Sequence, residues 1–252
     1  MTTPLARRTL IAGLPLAAIL ADPMLAAEAA ATLVPVSTQT ASGKAVKAFV
    51  AKPAKKAPAV VLIHEWWGLN DQIKAVAADL SEQGYMALCA DLYDGRVTSD
   101  ASQAGAWMEK LDPKQATETL VAWIEWLRKQ PDCNGKVATL GWCMGGGWSL
   151  NASIADPVDA TVIYYGRVDR PAKDLAKLKG PVLGQFATRD QWINKPMVEG
   201  FVAAMKKAGK KLEIHWYQAD HAFANPTGKN YQRPETQQAW KRTLDFLKAN
   251  LG

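Results

Sequence analysis

The sequence predicts an α/β fold with a mostly parallel central sheet, helices on both faces and a single domain. Two observations lead to this class. Apolar runs of strand length alternate along the chain with segments of helical periodicity, an order typical of parallel sheets covered by helices. The 252 residues suffice for one sizeable core, and no internal repeat or low-complexity tract marks a second domain.

The elements follow in order. The predicted strands are residues 45–51, 60–64, 85–90, 136–142, 159–165, 181–187 and 212–217. The predicted helices are residues 71–83, 101–111, a segment from Pro113, 197–208 and 234–250. Residues 60–64 are continuously apolar, as in a strand buried on both faces. Ile73, Val76 and Leu80 share one helical face before Gly84, a suitable stop.

The first 30 residues have the pattern of an export signal. Arg7 and Arg8 precede an apolar stretch at 10–20 and small residues at 26–31. The arginine pair resembles a twin-arginine signal, although Ala6 and Leu10 depart from its preferred residues. We expect residues 1–30 to be removed, leaving 31–252 in a bacterial periplasm without a stable membrane anchor. A disordered cytosolic tail is the alternative.

Charge and cysteine content narrow the function classes. The net charge is +6, but the basic residues are scattered, so solvated faces are favoured over a nucleic-acid patch. Three cysteines imply no disulfide framework, although a Cys89–Cys133 bridge stays open.

Residues 141–145 are the most informative motif. Their pattern is Gly-x-nucleophile-x-Gly, with Cys143 where serine is usual, between a predicted strand and a predicted helix. Such a sharp turn needs small flanking residues and holds the nucleophile at a helix N-terminus, where negative charge is stabilised. A thiol there is biased toward thiolate, so the motif predicts a covalent hydrolase.

A nucleophile of this type needs a base and an orienting acid, which follow it along the chain as acid and then histidine. His221 lies in the polar loop after the last strand, whereas His215 lies inside that strand and His64 precedes the nucleophile. Asp190 follows the preceding strand and is the preferred acid. The other candidates are Asp220, adjacent to His221, and Asp156 and Asp159, which precede a strand and would lie at the opposite sheet edge.

The loop after residue 63 is the second unusual stretch. Glu65 stands there beside Trp66 and Trp67, where this kind of fold supplies an oxyanion amide. We expect Glu65 to bond to Cys143 and control its ionisation; a salt bridge to an arginine is the alternative.

The chain resembles the dienelactone hydrolase family of α/β-hydrolases. The matching segments, in order, are HEWWG at 64–68, DLY at 91–93, GWCMGG at 141–146, YYG at 164–166, Asp190, HWY at 215–217 and HAF at 221–223. The resemblance implies an α/β-hydrolase fold and a Cys143–Asp190–His221 triad. It also implies that Glu65 contacts the resting cysteine and that the amides of Met144 and Trp66 form the oxyanion hole.

The pattern of the family is broken where dienelactone-cleaving members hold the substrate carboxylate with two arginines. Arg96 is displaced by one residue from the first position, and Asn225 occupies the second. A lost bidentate partner weakens carboxylate recognition. We expect Arg96, Tyr93 and Trp67 to contact substrate, with Trp66 and Trp192 as further aromatic candidates for the pocket wall.

The predicted function is hydrolysis of a small-molecule lactone or ester, of carboxymethylenebutenolidase type, through a thioester acyl-enzyme. No metal or organic cofactor and no nucleic acid is expected, and the protein is expected to be a monomer. A non-catalytic ligand-binding protein on the same fold is the main alternative, and a thiol redox enzyme, which lacks a Cys-x-x-Cys pair, is the third.

Overall fold

The computed structural model describes residues 14–252. It contains two compact units, the first ending at Gly135 and the second beginning at Lys136. The Arg7–Arg8 pair of the predicted export signal lies outside the described residues. Within residues 14–252, no helix combines the length and the apolar character needed to cross a membrane.

The first unit contains the strands of a mixed sheet, with both antiparallel and parallel pairs, and the helices that cover it. Its strands are β1 (Val34–Gln39), β2 (Ala45–Ala51), β3 (Ala57–Ile63) and β4 (Met86–Ala90), in the spatial order β1-β2-β4-β3. Its helices are α1 (Leu16–Ala21), α2 (Pro23–Ala30), α3 (Asp71–Glu82), α4 (Ala101–Lys110) and α5 (Pro113–Arg128). Strand β3 pairs in parallel with β4, whereas β1–β2 and β2–β4 are antiparallel.

The two buried strands of this unit carry the loops that matter for function. Residues 60–63 of β3 and all of β4 are fully buried, as their continuous apolar sequence predicts. Helix α3 begins at its cap Asn70, whose side chain accepts a hydrogen bond from the Ile73 amide. Because β3 and β4 are parallel neighbours, their following loops, which contain Glu65 and Tyr93, emerge at the same sheet edge.

Part of the predicted export signal is helical in the structure. Asp22 caps α2 through the amide of Met24, and α2 packs against α3 with Ala26, Ala29 and Ala30 buried. Removal of residues 1–30 stays a prediction.

The second unit is a parallel α/β layer. Strand β5 (Cys133–Trp142) runs across the boundary and is followed in spatial order by β6 (Ala160–Tyr164), β7 (Val182–Ala187) and β8 (Leu212–Tyr217). These three pairings are parallel throughout. The helices are α6 (Met144–Ala155), α7 (Ala172–Leu175), α8 (Lys195–Lys207) and α9 (Arg233–Leu251). The carboxyl ends of all four strands therefore meet at one edge, where ligands bind in sheets of this kind.

Buried hydrogen bonds fix helix α9 onto this sheet. The amide of Gln185 donates to the Ala239 carbonyl and to Thr243, and its oxygen accepts from the Tyr217 hydroxyl. The Tyr164 hydroxyl also bonds to Thr243. Since each buried polar group has a partner, the network adds geometric constraint to strands β6, β7 and β8 just below their carboxyl ends.

Candidate active site

Cys143 occupies a strained turn between β5 and α6. Its backbone has φ +53° and ψ −118°, a conformation that residues with a side chain rarely adopt. The Cys143 amide donates to the Tyr164 carbonyl at the end of β6, and the Cys143 carbonyl accepts from Gly146. The thiol is partly exposed at the start of the helix. The predicted nucleophile turn is therefore present.

Glycines allow this turn to pack. A Cβ atom on Gly141 would overlap the Gly145 carbonyl, and one on Gly166 would overlap the backbone of Gly146. The first contact joins the end of β5 to the start of α6, and the second joins α6 to the residues that follow β6. Only residues without a side chain permit backbones to approach so closely.

Replacing Gly166 with alanine tests the importance of this contact. The added methyl group meets backbone, which cannot rotate away, so we expect a loss of about 3 kcal/mol in unfolding free energy. Denaturant unfolding measures it. Gly200→Ala in helix α8 is the control, since nothing lies within 4 Å of its Cβ and alanine favours helix. Equal stability of Gly166→Ala and the wild type would contradict the packing argument.

Cys143, His221 and Asp190 form one hydrogen-bonded chain in the second unit. His221 Nε2 lies 3.1 Å from Cys143 Sγ, and His221 Nδ1 lies 2.6 Å from Asp190 Oδ2. The other carboxylate oxygen of Asp190 accepts from the amides of Trp192 and Ile193, both at 2.9 Å. The structure thus brings these three side chains together, and their catalytic roles stay predictions.

The loop after β8 holds His221 in place. Ala222 has φ +63°, and the Asn230 side chain donates to the His221 carbonyl at 2.9 Å. Two aromatic rings flank the imidazole: Tyr165 and Trp192 each lie 5.2 Å from it between ring centroids, at steep angles. Tyr165 is fully buried, has φ +36° and was not anticipated from the sequence as a neighbour of His221.

The electrostatics favour a charged Asp190–His221 pair. Burial opposes the charge on Asp190, but hydrogen bonds from His221 and from the Ile193 and Trp192 amides outweigh it, so the pKa of Asp190 is lowered. Burial likewise opposes the imidazolium. Hydrogen bonds with Asp190 and Cys143 nevertheless raise the pKa of His221 to about 10. The site therefore favours a protonated His221 at neutral pH.

The rejected candidates have other roles. Asp220 pairs with Arg189 at 2.9 Å on the surface. Asp159 accepts from the Val137 amide and pairs with Lys179 at the opposite end of the strands. His215 contacts Glu213 at 2.6 Å. Cys89 and Cys133 are buried and do not form the disulfide left open by the sequence, and burial raises the pKa of the Cys89 thiol.

Most of the remaining predicted site residues belong to the first unit. Glu65 is buried in the loop after β3, where Trp66 and Trp67 lie with ring centroids 4.9 Å apart. Met144, in contrast, is the first residue of α6 in the second unit. The contacts predicted between Glu65 or Trp66 and Cys143 stay predictions.

His64 fixes the loop that contains Glu65. Its Nδ1 lies 2.6 Å from the Glu65 carbonyl and donates to it, while its Nε2 accepts from the Leu92 amide at 3.1 Å. Burial lowers the pKa of His64, which keeps the ring neutral and able to accept. His64 thus joins the ends of β3 and β4, a role that its position in the sequence did not reveal.

Arg96 and Asn225 differ in their freedom to bind a substrate carboxylate. The guanidinium of Arg96 stacks over Trp107, 5.0 Å from its centroid, and its Nε donates to the Tyr93 carbonyl. The Asn225 side chain is buried and accepts from the amide and hydroxyl of Thr227. Asn225 therefore stabilises its own loop, whereas Arg96 is an exposed cation on an aromatic surface.

Comparison with known proteins assigns the chain to a family. A sequence profile of the Dienelactone hydrolase family matches residues 46–251. The chain belongs to the dienelactone hydrolase family. It is thus an ester or lactone hydrolase, and no three His, Cys, Asp or Glu side chains among residues 14–252 are arranged to hold a metal ion.

Individual relatives are consistent with this family assignment. The chain is 32% identical to a carboxymethylenebutenolidase of Pseudomonas putida, over 84% of this chain and 94% of that protein. It is 27% identical to carboxymethylenebutenolidase 1 of Cupriavidus pinatubonensis, over 84% and 95%. A dienelactone hydrolase-like promiscuous phosphotriesterase from metagenomic libraries superposes with a TM-score of 0.79 at 20% identity, covering 87% and 99% of the two chains. This last likeness confirms the predicted α/β-hydrolase fold class.

Proposed function

We propose that the protein opens a lactone or cleaves an ester through a covalent thioester on Cys143. The observation that carries this proposal is the chain of hydrogen bonds from Cys143 through His221 to Asp190. Binding without turnover does not require this trio. The relatives named carboxymethylenebutenolidases support the same class of reaction.

The acylation step follows from the geometry. In the resting site His221 already carries the proton given up by the thiol, because its pKa is raised, and Cys143 Sγ attacks the substrate carbonyl carbon. The bond between the carbonyl carbon and the alcohol oxygen of the ester then breaks, and His221 delivers its proton to that leaving oxygen. Asp190 holds the Nδ1–H tautomer and stabilises the imidazolium. The raised pKa of His221 supports its role as the acceptor of the thiol proton.

In deacylation, His221 acts first as a base toward water, and Cys143 becomes the leaving group. His221 removes a proton from water, the hydroxide adds to the thioester carbon, and the carbon–sulfur bond breaks to release the carboxylic acid. We propose the amides of Met144 and Trp66 as donors to the oxyanion in both steps; each is worth about 3 kcal/mol in the transition state. Glu65 would contact Cys143 in the resting enzyme.

The substrate is proposed to carry an anionic group held by Arg96. Its guanidinium is oriented by stacking on Trp107 and by the hydrogen bond from Nε to the Tyr93 carbonyl, and the residue is exposed. With Asn225 engaged in its own loop, one arginine replaces the pair used by dienelactone-cleaving members. Trp67 is partly exposed and supplies neighbouring aromatic surface. Tyr93, also predicted to contact substrate, is instead fully buried beneath Arg96, because its ring packs against His64 and Trp107.

A paired assay tests this assignment. Arg96→Gln should lower kcat/KM about 10- to 100-fold for a carboxylated unsaturated lactone, because it removes a charged hydrogen bond. Hydrolysis of neutral phenyl acetate should change less than about 2-fold. Lys248→Gln, an exposed charge change in α9, is the control. Equal losses on both substrates, or none, would refute Arg96 as the carboxylate partner. Ligand binding without any hydrolysis by the wild type would favour a binding protein instead.

A further inference from the structure

Trp192 is the most exposed aromatic residue in the described part of the chain, with 70% of its surface accessible. Indole rings are usually well buried, because they carry a large apolar area. The main chain at this position is nevertheless fixed, since the Trp192 amide donates to Asp190 Oδ1. A rigid backbone thus presents a large apolar side chain to solvent.

The indole lies against the proposed base. Its ring centroid is 5.2 Å from that of His221, and the two planes are 79° apart. Tyr165 flanks the same imidazole but is fully buried. Of these two flanking rings, only Trp192 has free surface with which to contact a substrate.

The proton transfer from His221 determines which half of the substrate lies beside Trp192. During acylation, His221 gives its proton to the leaving oxygen from Nε2, the atom that faces Cys143. The leaving oxygen must therefore come within hydrogen-bond distance of the imidazole. The group attached to that oxygen then lies beside the rings that flank His221, and Trp192 is the accessible one.

We propose that Trp192 is a specificity-determining residue that packs against the leaving-group half of the substrate and favours flat, unsaturated or aromatic alcohol portions over saturated ones. Aromatic packing of this kind prefers tilted or offset rings and adds to simple apolar burial. The inference rests on the proposed function of Cys143 and His221. The competing explanation is that Trp192 only shields His221 from water.

Two acetate esters separate these explanations. Phenyl acetate and 2,2,2-trifluoroethyl acetate differ in the leaving group but form the same acetyl-enzyme. Contact with the leaving group therefore affects kcat/KM, which reports acylation, and leaves the rate of deacylation of the common intermediate unchanged. Shielding of His221 would affect both steps and both esters alike.

The experiment compares the wild type with Trp192→Ala and Trp192→Phe, and with Trp216→Ala as a matched control. Trp216 is 37% exposed on β8 and packs against Phe186, with ring centroids 5.8 Å apart. We expect the kcat/KM ratio of phenyl to trifluoroethyl ester to fall about 5-fold in Trp192→Ala. Trp192→Phe should restore most of the ratio, deacylation should be unchanged, and Trp216→Ala should keep the wild-type ratio.

Each other outcome overturns the inference. An unchanged ratio in Trp192→Ala, with both esters slowed equally or not at all, shows that the indole does not contact the leaving group, while the proposed function stands. If the folded wild type hydrolyses neither ester, the proposed function fails and the role of Trp192 fails with it.

Discussion

Cys143→Ala should abolish hydrolysis of an aryl ester, with a loss of at least about 10⁴-fold in kcat. The reason is that no other nucleophile lies on the hydrogen-bonded chain with His221 and Asp190 in the described residues. Steady-state kinetics on phenyl acetate measures the effect. Because the substitution removes only a partly exposed sulfur, the folded state should be retained, which thermal unfolding checks.

Cys133→Ala is the control for this variant. Like Cys143, Cys133 forms no disulfide, but it is buried at the start of β5. The control should keep near-wild-type turnover, although its stability can fall. Substantial hydrolysis by Cys143→Ala at wild-type stability would refute the assignment of the nucleophile.

Asp190→Asn should lower turnover by about 10³- to 10⁴-fold, since an amide cannot stabilise the imidazolium or hold the required tautomer. It should also lower the pKa of His221, which the carboxylate helps to raise to about 10. The chain has three histidines, so their Cε1 proton resonances can be followed across pH by NMR. The His221 resonance should titrate near pH 10 in the wild type and closer to about 6.5 in the variant.

The sign of the accompanying stability change follows from linkage. Folding raises the pKa of His221, so its interaction with Asp190 stabilises the folded state fully below about pH 6.5 and is lost as pH rises through 10. The free energy of unfolding of Asp190→Asn should therefore be lower than that of the wild type at pH 6, and the difference should shrink at pH 10. Titration of His221 at the same pH in both proteins would contradict the proposed coupling.

Much of the fold could be predicted because burial leaves a strong periodic signal. The pattern predicts strands at 60–64 and 85–90. Strand β4 begins one residue later than predicted, at Met86, whereas β3 ends one residue earlier, at Ile63, and begins three residues earlier, at Ala57. Strand β1 was missed, since its mostly exposed residues lack an apolar pattern. Helix α7, with four residues, is too short to show helical periodicity.

The arrangement of Cys143, Asp190 and His221 was predictable from a turn motif and from chain order. Each residue follows a strand of one parallel sheet, which brings the three loops to the same edge. The surroundings were not predictable in this way. The stacking of Arg96 on Trp107, the inward Asn225 and the contact of Trp192 with His221 depend on loop conformations that hydrophobic periodicity does not encode.

Detection of the acyl-enzyme tests the central claim most directly. The wild type should be mixed with excess phenyl acetate and quenched in acid during turnover, because acid preserves a thioester. Peptide mapping by mass spectrometry should then find one acetyl group on the peptide that contains Cys143, and none on it in Asp190→Asn quenched at the same time. Turnover with no adduct, or with the acetyl group on another residue, would contradict covalent catalysis by Cys143.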